Sequence, residues 1–329
     1  MAARGVMATS LWTVAPGEMV HRTHDLADPG PGEARLRMLY SGVSRGTERL
    51  VLQGRVPKAE WARMRAPLQE GDFPYPVKYG YCAVGVVEAG PAALLGQTMF
   101  CLHPHQDVFI APIAMLAPVP PTVPPLRATL AANMETALNA IWDSGAGPCD
   151  RITVIGAGVL GLLVATLAGR IPGAVVTLID IDPDRAALAH HLGVGFALPA
   201  AAPVDQDLVF HTSASEAGLA TAIACAGLEA SIIEMSWYGD RAPAIPLGGA
   251  FHSRRLRLIS SQVGHVSPTR RPRWDYARRL EASLGLLADP RLDALLPTPI
   301  AFADAAAELP ALLMQGTGLA PVIAYPSAP

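Results

Sequence analysis

The sequence is poor in lysine, cysteine and aromatic side chains. Lysine occurs only at Lys58 and Lys78, so arginine carries nearly all of the positive charge. The 4 cysteines include no CxxC pair and no zinc-ribbon spacing, which predicts reduced, mostly buried thiols and no disulfide framework. The formal net charge of -3 argues against nucleic acid as the main partner.

Long apolar runs are also missing, although 51% of the residues are hydrophobic. No run approaches the ~18 residues that a membrane span needs, so we expect no membrane partner. The first residues, MAARGVMATSLWTVAPGE, lack the apolar core of a secretion signal, which predicts a cytoplasmic location. A length of 329 residues is enough for two domains and a large core.

The most informative segment is a glycine-rich turn between two predicted strands. Gly156, Gly158 and Gly161 form a GxGxxG pattern after an apolar run. Gly156 permits the tight turn, Gly158 lets the backbone approach a pyrophosphate, and Gly161 lets the following helix pack close to the strand. Asp180 ends the second strand, where an acid bonds the ribose hydroxyls and repels a 2′-phosphate. The pattern predicts NAD(H) in preference to NADP, although Arg185 could soften this preference by reaching a phosphate.

The rest of the pattern predicts an α/β fold made of two parts. Short strands broken by Pro and Gly over residues 11–117 predict a compact β-barrel-like domain, and a proline-rich crossing at residues 117–125 follows it. Strands then alternate with helices, which predicts a doubly wound parallel sheet. Residues 57–65 predict a short helix within a long loop. The six strands of the sheet are expected at residues 152–155, 175–180, 195–198, 207–211, 231–237 and 256–260.

Three motifs resemble those of the medium-chain dehydrogenase/reductase superfamily, and the resemblance covers nearly the whole chain. Residues 78–90, KYGYCAVGVVEAG, resemble its Gly-His-Glu-x-x-Gly signature. Residues 41–48, SGVSRGTE, resemble the segment with the first zinc cysteine, and residues 132–138, ANMETAL, the helix with the third zinc ligand. The first two blocks look most like the bacteriochlorophyllide a dehydrogenase branch. The resemblance implies a GroES-like catalytic domain at residues 1–124 and 266–329, and a Rossmann domain at residues 125–265.

The zinc ligands are the main departure from this family. At the three matching positions the chain has Ser44, Tyr81 and Ala132, none of which is a usual zinc ligand. The closely spaced cysteines of the family's structural zinc lobe are missing as well. We therefore expect a zinc-free member that binds no metal.

Hydride transfer without a metal still needs a group that stabilises the oxyanion and exchanges a proton. The resemblance makes Tyr81 the first candidate for this donor, with Ser44 opposite it. Glu48 lies close in sequence, and His105 is expected to pass the proton to solvent. Plainer alternatives stay open: Tyr81 fills the vacated zinc cavity, Ser44 bonds to backbone, and His103 and His105 are surface histidines.

The predicted cofactor-binding residues extend beyond the glycine turn. Thr136 matches a threonine that touches the nicotinamide in the family, and Glu135 beside it either binds cofactor or caps its helix. The full predicted set comprises Gly156, Gly158, Val159, Leu160, Gly161, Asp180, Ile181, Arg185, Thr136, Arg45, Thr212, Ser213 and Trp237.

The C-terminal third contains a dense arginine cluster. We interpret it first as a solvated basic face, with an anionic substrate or the acids of a partner subunit as alternative ligands. The resemblance also implies a homodimer that pairs through the last strands of the sheet. The members of the cluster are Arg254, Arg255, Arg257, Arg270, Arg271, Arg273, Arg278 and Arg279.

The glycine turn and the resemblance together imply an NAD(H)-dependent oxidoreductase that interconverts a secondary alcohol and a ketone on a small molecule, including the side chain of a large heterocycle. Two alternatives stay open. One is a zinc-free enoyl or quinone reductase, and the other is a non-catalytic cofactor-binding protein with the same fold. The polar residues expected near the nicotinamide favour catalysis over the second alternative.

Overall fold

A computed structural model describes residues 6–315 and 318–326. The chain divides into two compact units, Met1–Ala132 with Leu280–Pro329, and Asn133–Arg279. The second unit begins and ends later than the Rossmann domain expected at residues 125–265. Within the described residues, no helix is both long and apolar enough to cross a membrane.

Strands are the main regular elements of the first unit, and they alternate with helices in the second. In chain order the strands are β1 (Val6–Ala15), β2 (Glu18–Leu26), β3 (Glu33–Gly42), β4 (Glu70–Gly71), β5 (Val77–Lys78), β6 (Ala83–Ala89), β7 (Thr98–Cys101), β8 (Val108–Pro112), β9 (Leu116–Pro118), β10 (Arg151–Ile155), β11 (Val175–Ile179), β12 (Gly195–Ala197), β13 (Gln206–His211), β14 (Ala226–Glu234), β15 (Arg257–Ser260), β16 (Ile300–Ala301) and β17 (Val322–Ala324).

Eight α-helices are found among the described residues. They are α1 (Arg45–Leu52), α2 (Pro125–Ala128), α3 (Ala131–Ser144), α4 (Val159–Ala168), α5 (Arg185–His191), α6 (Glu216–Cys225), α7 (Tyr276–Leu286) and α8 (Ala305–Gln315).

The first unit contains two β-sheets. One has the order β2-β1-β5-β4, and the other β16-β17-β3-β6-β7-β9 with β8 paired to β3. Strand β3 shows why this sheet forms, since Leu36 and Met38 are buried on one face while Arg35 and Arg37 on the other face bond to Glu88. Strand β3 therefore has one apolar face and one polar face.

The C-terminal segment packs on the first unit. Strand β17 pairs antiparallel with β3, and β16 pairs with β17. The guanidinium of buried Arg127 in α2 bonds both carboxylate oxygens of Asp293 at 2.7 Å. This bidentate ion pair lowers the pKa of Asp293 and joins the C-terminal segment to the rest of the unit.

The second unit is the doubly wound sheet that the strand pattern predicts. Its parallel strands have the order β12-β11-β10-β13-β14-β15. The central strands are apolar and buried, as expected for a parallel sheet covered on both faces. The direction of winding reverses between β10 and β13, and ligands bind such sheets at the carboxyl ends of the strands beside that point.

Three local predictions differ from the structure. Residues 57–65 form only a 3-10 turn, Lys58–Glu60, because none of its side chains is buried and no packing supports a longer helix. Helix α1 was not predicted, although it buries Leu50, Val51 and Leu52. Strand β14 runs Ala226–Glu234 and ends before Trp237, which lies in the following loop.

Candidate functional site

The glycine turn after β10 has the geometry that a dinucleotide requires. Gly156 has a φ of +105°, and a β-carbon there would lie 2.8 Å from the Thr212 Oγ1. A β-carbon at Gly161 would lie 1.9 Å from the Gly156 carbonyl oxygen, so the turn and helix α4 pack backbone to backbone. Gly158, which precedes α4, has no atom within 4 Å of its β-carbon position. Space for a pyrophosphate therefore lies at the open N-terminus of this helix.

Asp180 follows the last residue of β11 and is bonded to the glycine turn. Its Oδ2 accepts from the Ala157 N–H at 2.6 Å, and its Oδ1 accepts from the Asp182 N–H at 2.9 Å. Ile181 beside it is 84% exposed, an apolar surface next to the position that a ribose would occupy. Arg185 is held by Asp182 through a 3.1 Å ion pair. The two backbone N–H groups fix the Asp180 carboxylate at the end of β11. The positive charge of Arg185 is compensated by Asp182.

The second unit brings most of the other predicted cofactor residues to the same end of its sheet. The Thr212 hydroxyl donates to the carbonyls of Ile155 and Gly156, both at 3.0 Å. Ser213 and Trp237 lie in the loops after β13 and β14. Val159 and Leu160 form the first turn of α4, and Thr136 lies on α3. Arg45 belongs to the first unit, where its guanidinium donates to the Gly318 carbonyl.

A cluster of hydroxyl groups surrounds Tyr81 in the first unit. The Ser44 and Thr47 side chains lower the pKa of Tyr81 by hydrogen bonding, and the ring of Tyr81 meets that of Tyr79 edge-on at 5.9 Å. Burial raises the pKa of Tyr81, with a smaller contribution from Cys82, and the two hydroxyl partners only partly offset this. Tyr81 is therefore a neutral phenol that can donate a hydrogen bond and is a poor general base.

A second, continuous chain of hydrogen bonds runs through the same unit. Glu48 and His105 are both buried, and the His105 Nε2 lies 3.0 Å from the Glu48 Oε2. The His105 Nδ1 lies 2.7 Å from the Ser41 Oγ, which is 2.9 Å from the Tyr325 hydroxyl. The other Glu48 oxygen, Oε1, accepts from the Ser44 N–H at 2.7 Å. Glu48 therefore couples this chain to the start of helix α1.

The position of His105 corrects one prediction. Its side chain is only 2% exposed, and both ring nitrogens are bonded within the protein, so it is neither a surface histidine nor a direct link to solvent. His103 is also buried and stacks on Phe109 at 3.9 Å. Sequence reasoning missed Ser41, although the motif 41–48 begins with it. It also missed Tyr325, which is 284 residues away along the chain and carries no local signal.

The structure also reassigns Glu135 and one arginine of the C-terminal cluster. Glu135 accepts from the Arg279 Nε at 2.9 Å, and both side chains are buried. Arg279 further donates to the Asn139 side chain at 2.8 Å. Glu135 is thus half of an internal ion pair, and Arg279 is not part of a solvated face. Arg270, Arg271, Arg273 and Arg278 are exposed, as the first interpretation of the cluster expects.

The donor atoms at the expected zinc position do not suit a zinc ion. Ser44 and Tyr81 offer only hydroxyl groups, which are not usual zinc ligands. Ala132 offers only a methyl group. Over residues 6–315 and 318–326, no three His, Cys, Asp or Glu side chains are grouped closely enough to hold a metal ion.

Comparison with known proteins places this fold among dehydrogenases. No family model matches the sequence. L-galactonate-5-dehydrogenase of Escherichia coli (strain K12) is 24% identical over 217 residues, which cover 58% of this chain and 61% of that protein.

Solved structures match over nearly the whole chain. A proposed zinc-binding dehydrogenase from Sinorhizobium meliloti 1021, bound to NADP, has a TM-score of 0.76 and 16% identity, covering 97% of this chain and 99% of the other. An alcohol dehydrogenase from Escherichia coli CFT073, complexed with NADH, has a TM-score of 0.76 and 15% identity, covering 97% and 100%. The chain therefore has the fold of the medium-chain dehydrogenases, with a Rossmann domain and a separate β domain.

Proposed function

We propose that this protein is an NAD(H)-dependent oxidoreductase that interconverts a secondary alcohol and a ketone without zinc. The observation that carries the proposal is the glycine turn of the second unit with the Asp180 carboxylate bonded to it at 2.6 Å. The names of the relatives support it, since the similar proteins are dehydrogenases and two neighbouring structures hold NADP or NADH.

The nicotinamide, when bound, supplies or accepts the hydride, and the protein must manage the charge on the substrate oxygen. Tyr81 is suited to this task because its neutral hydroxyl can donate a hydrogen bond to an oxyanion. Ser44 and Thr47 orient that hydroxyl, and Glu48 fixes the Ser44 backbone through a 2.7 Å bond. His105 in turn fixes Glu48, so its role in this proposal is to position the cluster.

The choice between NADH and NADPH tests the assignment of Asp180. A 2′-phosphate beside this carboxylate would meet like charge, which at about 4 Å and an effective dielectric near 20 costs ~4 kcal/mol. We therefore expect NADH to bind roughly two to three decades more tightly than NADPH. Asp180→Ala should remove most of this preference, and fluorescence titration of both nucleotides measures it. Equal or tighter binding of NADPH to the unaltered protein would contradict the proposal.

A substrate panel separates the proposed reaction from enone or quinone reduction. Alcohols, ketones, enones and quinones should be offered with NAD or NADH, and the nicotinamide absorbance followed. The panel should include large heterocycles with a hydroxyethyl or keto side chain. Turnover of secondary alcohols and ketones supports the proposal, whereas turnover confined to enones or quinones replaces it with the reductase alternative.

A metal assay completes the test. Protein purified without chelators should contain no stoichiometric zinc, and activity should survive treatment with a chelator. Activity that is lost to the chelator and restored by zinc would overturn the zinc-independent part of the proposal.

A further inference from the structure

We propose that four buried or half-buried polar side chains in the second unit position the two loops that wall the dinucleotide site, and thereby determine cofactor affinity. The residues are His211, Glu234, Ser213 and Ser215, named here the His211 network. The inference builds on the proposed function, since it concerns the binding of the same nucleotide.

The network is continuous and lies at the carboxyl ends of two neighbouring strands. His211 ends β13 and has no exposed surface, and Glu234 ends β14. The His211 Nδ1 is 2.7 Å from the Glu234 Oε2, and the Nε2 is 2.8 Å from the Ser213 Oγ. The Ser213 Oγ is 2.9 Å from the Ser215 Oγ, which accepts from the Gly218 N–H at 3.0 Å.

Every polar group in the network can be satisfied by bonds that run in one direction. In one such arrangement Ser215 donates to Ser213, Ser213 donates to the His211 Nε2, and the His211 Nδ1–H donates to the Glu234 Oε2. Removing the acceptor at Glu234 would leave the buried imidazole N–H with only a long contact of 3.4 Å to the Ser236 Oγ. Such a loss costs more than the net value of one hydrogen bond, so the network holds its members in place.

The same residues join the two loops to each other. The Ser236 N–H donates to the Glu234 Oε1 at 2.8 Å, and the Ser236 Oγ accepts from the Ala214 N–H at 3.0 Å. Arg241 donates to the Ala214 carbonyl at 2.9 Å. Residues 212–215 and residues 235–241 are therefore cross-linked by hydrogen bonds, with His211 and Glu234 at their bases.

The first of these loops packs directly on the glycine turn. A β-carbon at Gly156 would lie 2.9 Å from the Ser213 backbone nitrogen and 3.0 Å from its Cα. The Thr212 hydroxyl donates to the Gly156 carbonyl. A displacement of this loop must therefore move the wall of the turn that the pyrophosphate approaches. His211 and Glu234 act through Thr212 and Ser213, which makes them positioning residues.

Gly218 in α6 offers a way to disturb the network without deleting any of its groups. A β-carbon there would lie 2.2 Å from the Ser213 Oγ and 2.9 Å from the His211 Nε2. Gly218→Ala should therefore displace the network, although alanine by itself favours a helix. Gly285→Ala in helix α7 is the matched control, since no atom lies within 4 Å of its β-carbon position.

The experiment compares the unaltered protein with Gly218→Ala, Glu234→Leu, Glu234→Gln and Gly285→Ala. NADH affinity is measured by fluorescence titration, and amide hydrogen exchange is measured without nucleotide. We expect Gly218→Ala and Glu234→Leu to weaken NADH binding tenfold or more and to speed exchange in both loops. Glu234→Gln retains a carbonyl acceptor for His211 and should recover most of the affinity. Gly285→Ala should match the unaltered protein in both NADH affinity and loop exchange. In all of the variants, the turnover number at saturating NADH should change less than threefold.

The outcomes separate this inference from the proposed function. NADH affinity and loop exchange that stay unchanged in Gly218→Ala and Glu234→Leu would overturn the inference while leaving the oxidoreductase proposal intact. Equal losses in Glu234→Gln and Glu234→Leu would also overturn it, because the hydrogen-bond acceptor would then be irrelevant. If the unaltered protein binds neither NADH nor NADPH, the proposed function is wrong. The inference about cofactor affinity is then wrong as well. The exchange measurement needs no nucleotide, so it tests loop positioning in that case as well.

Discussion

Tyr81 shows how burial determines which role a side chain can take. Its raised pKa keeps the phenol protonated, so it can stabilise an oxyanion and cannot act as a base near neutral pH. Tyr81→Phe should lower turnover by ~10²–10³, the usual effect of removing one oxyanion donor. NADH affinity should not change, since the ring remains. Steady-state kinetics and nucleotide titration check both expectations, and full activity in Tyr81→Phe would reduce the tyrosine to a packing role.

His103 should make the protein sensitive to acid. Burial lowers its pKa to about 3, and the charge of Lys78 adds to this effect. Because the pKa is about 6.5 in an unfolded chain, the unfolded state binds a proton below pH 6.5 that the folded state refuses. The contribution of His103 to stability is thus complete above pH 6.5 and is lost as pH falls toward 3, by up to ~1.4 kcal/mol per pH unit.

Urea unfolding at pH 7 and pH 5 tests this expectation. The free energy of unfolding should fall by about 2 kcal/mol on account of His103 over this interval. His103→Gln should show a smaller fall, and its amide can still donate to the Pro104 carbonyl, 2.8 Å from the histidine Nδ1. An identical pH dependence in the two proteins would show that His103 titrates normally.

The cysteines should differ sharply in reactivity. Cys149 is exposed, whereas Cys82, Cys101 and Cys225 are buried. Burial raises the pKa of Cys101 to about 12 and that of Cys225 to about 11, so few thiolates form there. A thiol reagent at pH 8 should therefore modify one thiol per native chain, and Cys149→Ser should abolish that reaction. Rapid modification of a second thiol in the folded protein would contradict the burial of the other three.

Among the elements, helices α3 and α7 depend on the ion pair between Glu135 and Arg279. Burial raises the pKa of Glu135, and Arg279 offsets this by charge and hydrogen bonding. Arg279→Met leaves a buried carboxylate without its partner, which should destabilise the protein by ~3–5 kcal/mol. Combining it with Glu135→Gln should restore part of the loss. Denaturant unfolding measures the stability of the single and the double variant, and Arg273→Ala at an exposed position is the control. Equally small effects of all three variants would refute the buried ion pair.

Strands and turns can be predicted from sequence where the residue pattern is long and involves only neighbouring residues. The apolar strands of the second unit and the glycine turn were placed within a few residues. Helix α1 is hard to predict from sequence because its buried apolar side chains occupy only one end. Residues 57–65 begin with a proline and contain good helix formers, yet the helix is absent because no buried face supports it.

For the whole molecule, we predict a homodimer through the edge of the six-stranded sheet. Within the described chain, β15 pairs only with β14, and Leu258 on it is 41% exposed. An edge strand of this kind invites pairing with another sheet. Sedimentation should show a dimer at micromolar concentration, and Leu258→Lys should shift it toward monomer. A monomer in the unaltered protein would contradict this prediction.

The α/β class, the positions of the doubly wound strands along the chain and the position of the dinucleotide turn can all be predicted from sequence. These features depend on short-range rules, namely strand periodicity and the backbone freedom of glycine at Gly156. The departures from the zinc motif are also visible in the sequence, because a zinc ligand is identified by its residue type. The contacts of each polar side chain were decided only by the tertiary structure. Ser41 meets Tyr325 across 284 residues, and His211 meets Glu234 across neighbouring strands. No local pattern encodes such pairings, because they follow from sheet register and from burial, which only the folded chain defines.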